Sequence, residues 1–173
     1  TKIIKITSVV CAGLAIQPIP FADIFILTPM QGLMGSRIAA VRGIPISNND
    51  SIETIKQILG TIGLGLTAQQ LVIGGYKTFI PFAGGLFTIP IVFGLTYGIG
   101  RVMDQYFINR SKGRILNREE LRKIFKQGKK EGKEEGKEHK KNKEKFEFPN
   151  EPLNESIKFL KTNFDDIIII RSL

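Results

Sequence analysis

Gln17–Gly43 reads QPIPFADIFILTPMQGLMGSRIAAVRG, an apolar segment punctuated by Pro18, Pro20 and Pro29 and closed by Arg37, Arg42 and Gly43. Asp23 is the only charge between Ile6 and Ser36. The Gln17-Pro18-Ile19-Pro20 arrangement disfavours helical geometry before each proline, and a proline inside a helix removes a hydrogen bond and crowds the preceding turn. The stretch therefore predicts helix, tight proline turn, helix, with a cation and a glycine as the stop. A weaker copy lies downstream: shifted by 61 positions, Ile19-Pro20-Phe21-Ala22 falls on Ile80-Pro81-Phe82-Ala83, Pro29 on Pro90 and Gly13 on Gly74. The expected fold is all-α, two Pro-tipped apolar hairpins forming a small bundle, followed by an amphipathic helix and a charged tail.

The arms flanking Pro18 and Pro20 would each reach roughly 20 Å at 1.5 Å per residue, less than the ~20 apolar residues a spanning helix needs. They either dip into a membrane as a hairpin or form an apolar helical core. Residues 57–76 are long enough to span, as are 78–100, although Pro81 and Pro90 disturb the latter. Gly60, Gly63, Gly65 and Gly74 are spaced so that another helix could approach closely. Lys77 is the only charge between Gln57 and Gly100. Asp23 and Lys77 thus fall near the two tips, where an ionisable residue in apolar surroundings seeks a partner; the competing reading leaves each solvated at a loop.

After Gly43 comes the turn-rich Pro45-Ile46-Ser47-Asn48-Asn49, then Asp50-Ser51-Ile52-Glu53, a capping box with Asp50 as the cap. The helix it starts is expected to continue into Ile73. Asn117-Arg118-Glu119-Glu120-Leu121 is a second capping box, with Leu116 and Leu121 as the hydrophobic staple. Leu121, Ile124 and Phe125 give this helix a narrow docking stripe. Beyond it, Gly128, Gly132 and Gly136 recur in a Lys/Glu tract without apolar side chains, expected to be a frayed solvated helix or disordered. The expected organisation is residues 1–127 as the hairpin domain with its docking helix, 128–148 as the low-complexity tract and 149–173 as a C-terminal segment. There Asn154 would cap a short helix, and Ile167–Ile170 is a β-prone run.

Charge divides the chain. Residues 1–100 hold six basic side chains against three acids, whereas Arg101–Lys145 carries about +8 of the formal +9. A basic block beside an apolar block suits an anionic membrane surface. Nucleic acid is disfavoured, because acids are interleaved with the bases and only Phe125, Phe146 and Phe148 could stack. Lys2 and Lys5 before an apolar run resemble the start of a secretory leader, without its small-residue cleavage pattern. Cys11 is alone, so no intramolecular disulfide can form.

Chemistry finds little foothold. Gly63-Leu64-Gly65-Leu66-Thr67-Ala68 matches a dinucleotide fingerprint, but neither the preceding strand nor the following acid is there. His139, the one histidine, sits in the charged tract, which leaves no zinc or Ser-His-Asp arrangement of the usual kind. No catalytic, cofactor or metal residue is expected, and the chain reads as non-enzymatic.

On Pro18-Ile19-Pro20-Phe21-Ala22-Asp23, Thr28-Pro29-Met30-Gln31, Arg37-Ile38-Ala39 with Gly43, Ile80-Pro81, and Tyr106-Phe107 followed by Leu116 to Phe125, the chain resembles the bacterial family called domain of unknown function 697. The likeness covers about residues 1–130. That family often follows a small GTPase domain and is often membrane-associated, so the resemblance implies a GTPase-type partner. It supplies no catalytic residues. The leading expectation is a membrane-associated helical domain at the cytoplasmic face, integral or tightly peripheral, that anchors, scaffolds or relays for such a partner. The alternatives are an oligomeric channel assembled through Gly60, Gly63, Gly65 and Gly74, and a soluble helical interaction module.

Overall fold

Apolar residues recurring at three- and four-residue steps make one face of each helix greasy, and burying those faces together is what the fold accomplishes. The computed structural model describes residues 2–14, 22–63 and 84–141, apart from the side chains of 22–26, 84–88 and 139–141. The described residues form α1 (Lys2–Leu14), α2 (Ala22–Val41), α3 (Asn48–Thr61), α4 (Gly84–Ser111) and α5 (Arg118–Lys141), with no strand among them. The fold is an all-α bundle, as expected. Its core is built around Ile4, Met34, Phe93, Met103 and Phe107, each all but fully buried.

Contacts fix the direction of every helix. Ile4 of α1 lies at Gly100 of α4 and Cys11 at Thr96, so α1 runs antiparallel to α4. Met34 meets Gly100, Gly35 faces Met103 and Arg42 reaches Asp104, so α2 runs with α4. In α3, Asn48 accepts a 2.6 Å hydrogen bond from Ser36 and Ile52 lies against Gly32, so α3 begins against the middle of α2, and it ends beside the first turns of α5, where Arg122 Nε donates to Ile62 O. Phe125 sits at Gly98 and Gly136 at Pro90 and Phe93, making α5 antiparallel to α4. The two connections 42–47 and 112–117 therefore share one end of the bundle. The segment 15–21 and the start of α4 lie at the opposite end, whereas α3 ends beside the first turns of α5, near the 112–117 connection.

Both connections have the same construction. Gly43 (φ +78°) closes α2 and Gly113 (φ +71°) closes α4 in the left-handed conformation that glycine adopts without a Cβ penalty. In each, the following residue donates back across the helix end, Ile44 N to Ala39 O at 2.9 Å and Arg114 N to Asn109 O at 2.9 Å, which uses carbonyls that would otherwise lack partners. Four residues after each glycine stands the next N-cap. Asn117 behaves as expected: its Oδ1 accepts from Glu119 N (2.9 Å) and Glu120 N (3.0 Å), and Glu120 Oε2 accepts from Asn117 N (2.9 Å). The staple residues Leu116 and Leu121 are both buried.

Several expectations need correction. The cap of α3 is Ser47 rather than Asp50; Ser47 is extended (φ −67°, ψ 163°) and its Oγ accepts from Asp50 N at 3.1 Å, so the helix begins three residues earlier. Glu53 pairs with Lys56 instead of reaching back. The helix expected to continue into Ile73 stops at Thr61, with Gly63 in the left-handed region (φ +76°) just beyond it. Pro29 and Pro90 do not break the helices around them; α2 and α4 continue through each. The tract expected to be frayed or disordered is ordered helix as far as Lys141, and α5 runs unbroken across the expected division after residue 127.

No helix among the described residues is long and apolar enough to cross a membrane. The end of α3 interrupts the candidate span at 57–76, and the remainder of that segment lies outside the described residues. The Lys77 tip, Pro20, Pro81, Gly65, Gly74, the Asn154 helix and the Ile167–Ile170 run lie outside them as well.

Candidate functional site

Three rows of side chains run along α5, each at the four- and three-residue steps that keep a row straight at 3.6 residues per turn. The inner row is Leu121, Phe125, Gly128, Gly132 and Gly136, all buried. A basic row holds Arg122, Lys126, Lys129, Lys133 and Lys137, all exposed. An acidic row passes through Glu120, Gln127, Glu131, Glu134 and Glu138, with Glu135 beside it. The charges that look interleaved along the chain are thus segregated on the helix surface.

The inner row explains why a glycine-rich Lys/Glu tract can be an ordered helix. Each glycine in a helix interior costs about 1 kcal/mol relative to Ala, so this stretch needs a tertiary partner. The partner is the α4 backbone. A Cβ on Gly128 would lie 3.1 Å from Gly98 Cα and 2.9 Å from Arg101 Cβ; one on Gly132 would lie 3.1 Å from Gly94 Cα and 2.4 Å from Tyr97 Cβ. Glycines on both helices let the two backbones close on each other. Burial here is of backbone and of the faces of Tyr97, Phe93 and Pro90 on the facing helix.

Each flank then meets a different neighbour. The acidic flank faces α1 and α4, where Lys5 Nζ donates to Glu135 Oε1 and Arg101 Nε lies 3.7 Å from Glu131 Oε2. The hydrogen bond to Glu135 holds the Lys5 ammonium above its ordinary range. Burial, seconded by Glu135, pushes the Tyr97 phenol up. The basic flank begins at the C-terminus of α3, where Arg122 Nε donates to Ile62 O at 3.0 Å. A guanidinium there complements the negative end of the helix dipole.

Of the residues singled out from the sequence, Gly60 is exposed and a Cβ there would meet nothing within 4 Å. Gly63 ends α3 beneath the guanidinium groups of Arg118 and Arg122, 3.4 and 3.2 Å from where its Cβ would be. Asp23 lies in the first turn of α2; its approach to Lys77 falls outside the described residues. The close helix contacts are instead made by Gly94, Gly98, Gly128 and Gly132. Sequence reading also passed over Asp104, a nearly buried carboxylate that accepts from Arg42 Nε at 2.8 Å and lies 2.7 Å from its Nη2. That ion pair ties the end of α2 to α4.

Comparison with family models, with curated proteins and with solved structures finds no match to this chain. Function must be read from the chain's own surfaces.

Cys11 is the one thiol, and its setting is inert. It is fully buried against α4, and desolvation, partly offset by the neighbouring Thr96 hydroxyl, pushes it up to about 12. A thiol reagent at pH 8 should therefore react with Cys11 only after unfolding, with the rate tracking denaturant; fast native-state labelling would contradict this placement. The sign of the linkage follows. Between its ordinary value of 9.0 and about 12, the unfolded thiol ionises while the folded one stays protonated, so stability should fall as pH rises through that window.

Proposed function

We propose that this chain is a non-enzymatic, membrane-associated helical domain that anchors or scaffolds a partner at the cytoplasmic face of a membrane. One observation carries the reading. The segment holding Pro18–Pro20 and the start of α4, which Ile80–Pro81 precede in the chain, belong to the same end of the bundle, and the basic row of α5 runs toward that end. Residues 64–83 carry a single charge, Lys77. Apolar sequence joined to that end of the bundle, with cations beside it, suits an interface in which apolar groups enter the acyl boundary and lysines remain at the headgroups. Attachment is by these ends of the bundle, since no described helix supplies a span.

Relay to a GTPase-type partner rests on the resemblance of residues 1–130. Its test is nucleotide-dependent binding of a small GTPase domain from the same organism, with equal binding in the GDP and GTP states counting against a relay.

The test of membrane attachment is flotation of the full chain with lipid vesicles, followed by high-salt and carbonate washes. Co-flotation that only detergent reverses is the expected result. A protein left in the soluble fraction with both neutral and anionic vesicles would overturn the reading in favour of a soluble interaction module.

A further inference from the structure

The basic row of α5 is more than a consequence of composition. Lys126, Lys129 and Lys133 are exposed and, among the described residues, make no hydrogen bond or ion pair. The neighbouring cations differ. Lys137 is neutralised by Glu134 at 3.0 Å, Arg101 and Lys5 by the acidic row, Arg42 by Asp104 and Arg114 by Glu120. Glu135 and Glu131 of α5 are engaged by Lys5 and Arg101 of α1 and α4. Lys123 and Lys130 flank the row and are likewise exposed without a partner.

We infer that the flank formed by Lys126, Lys129 and Lys133 is a docking surface for an anionic lipid bilayer. The inference rests on the membrane reading above and gives it an orientation, with the basic side of α5 against the headgroups and Glu131 and Glu135 held on the bundle by Arg101 and Lys5. Charge complementarity argues for the occupant: a row of cations without partners along about two turns of helix matches a field of headgroup charge. Bilayer is favoured over nucleic acid because the exposed positions of this flank carry no aromatic or amide side chain for stacking or base reading. The row also heads toward the end of the bundle at which 15–21 joins α1 to α2 and α4 begins, so one approach to a bilayer engages both.

The experiment uses the full chain and three variants whose fold is checked by circular dichroism and thermal melting. Lys126→Gln/Lys129→Gln/Lys133→Gln removes the flank. Lys2→Gln/Lys56→Gln/Lys112→Gln removes the same charge from exposed positions elsewhere. Lys126→Arg/Lys129→Arg/Lys133→Arg keeps the charge. Partitioning is measured on neutral phosphatidylcholine vesicles and on vesicles with a fraction of phosphatidylserine, at low and high salt.

At about fivefold per lysine near the surface, the flank variant should lose about 100-fold of its partitioning to anionic vesicles at low salt and almost none to neutral ones. The arginine variant should retain it, and the scattered variant should lose far less. Equal losses in the flank and scattered variants would reduce the effect to net charge and overturn the inference. Wild-type binding that is the same on neutral and anionic vesicles would overturn it too, while leaving apolar attachment standing. Absence of binding to either vesicle would overturn the membrane reading itself. Displacement of vesicle-bound protein by a short RNA or DNA duplex at lower concentration than soluble phosphatidylserine headgroup would assign the flank to nucleic acid instead.

Discussion

Replacing Gly132 by Leu should destabilise the protein by about 3 kcal/mol and release the C-terminal half of α5. The first added carbon would lie 2.4 Å from Tyr97 Cβ and 3.1 Å from Gly94 Cα. Neither atom can swing aside, because one is fixed to the α4 backbone and the other belongs to it. Overpacking of an unyielding contact costs about 1–3 kcal/mol and sometimes more, whereas exchanging a helical glycine returns only about 1 kcal/mol of propensity. The clash wins. Gly60→Ala supplies the opposite case in the same fold: at that exposed helical site nothing lies within 4 Å of the new Cβ, so the propensity gain should raise stability by about 1 kcal/mol. Urea unfolding of both variants tests the pair. Equal and favourable effects would mean that α5 does not rest on α4 through its glycines.

Phe125→Ala should cost about 4 kcal/mol, within the range for emptying a buried aromatic site. Phe125 is 2 % exposed, and its ring lies at Gly98, with Cε2 3.2 Å from where a Cβ on that glycine would be. It is the last large side chain in the inner row. Beyond it the buried positions are glycines, so the apolar attachment of α5 is concentrated in its first two turns at Leu121 and Phe125. Hydrogen exchange should show protection falling throughout residues 118–141 of the variant, more than in α1 to α3. Loss spread evenly over all helices would show instead that Phe125 serves the whole core rather than this one attachment.

What could be read from the sequence was mostly local. Asn117 and Glu120 satisfy each other within three residues, and Gly43 follows a cation at the end of an apolar run, so both signals were complete in the chain itself. The start of α3 was less determinate. Ser47 and Asp50 are both competent caps three residues apart, and the helix begins at the earlier one, where Asn48 also accepts from Ser36 of the neighbouring helix. The end of α3 was hidden by composition, because apolar residues continue beyond Gly63 and mask a stop that lies in its backbone conformation.

The candidate surface was harder to see. A tract without apolar side chains reads as having nothing to bury, yet what α5 buries there is backbone. Its partner glycines, Gly98 for Gly128 and Gly94 for Gly132, lie 30 and 38 positions upstream. Charge segregation was present in the spacing but becomes legible only when the inner row is known. Arg42 and Asp104 are separated by 62 positions, and no local pattern links them.

The inner row of α5 has one more property, a symmetry under translation. A slide of four residues, about 6 Å along the axis, carries Gly128 onto the place of Gly132 and Gly132 onto that of Gly136. The same step carries Glu131 onto the place of Glu135, so Lys5 of α1 would again meet a carboxylate, while Arg101 of α4 would meet Gln127. The glycine rail has no preferred position of its own, and among its flanking charges only the Arg101–Glu131 contact distinguishes the two settings. The bulk of Phe125 and the tether of the 112–117 corner act as the stop that indexes it, and removing the stop leaves α5 a helix with more than one seat on the same track.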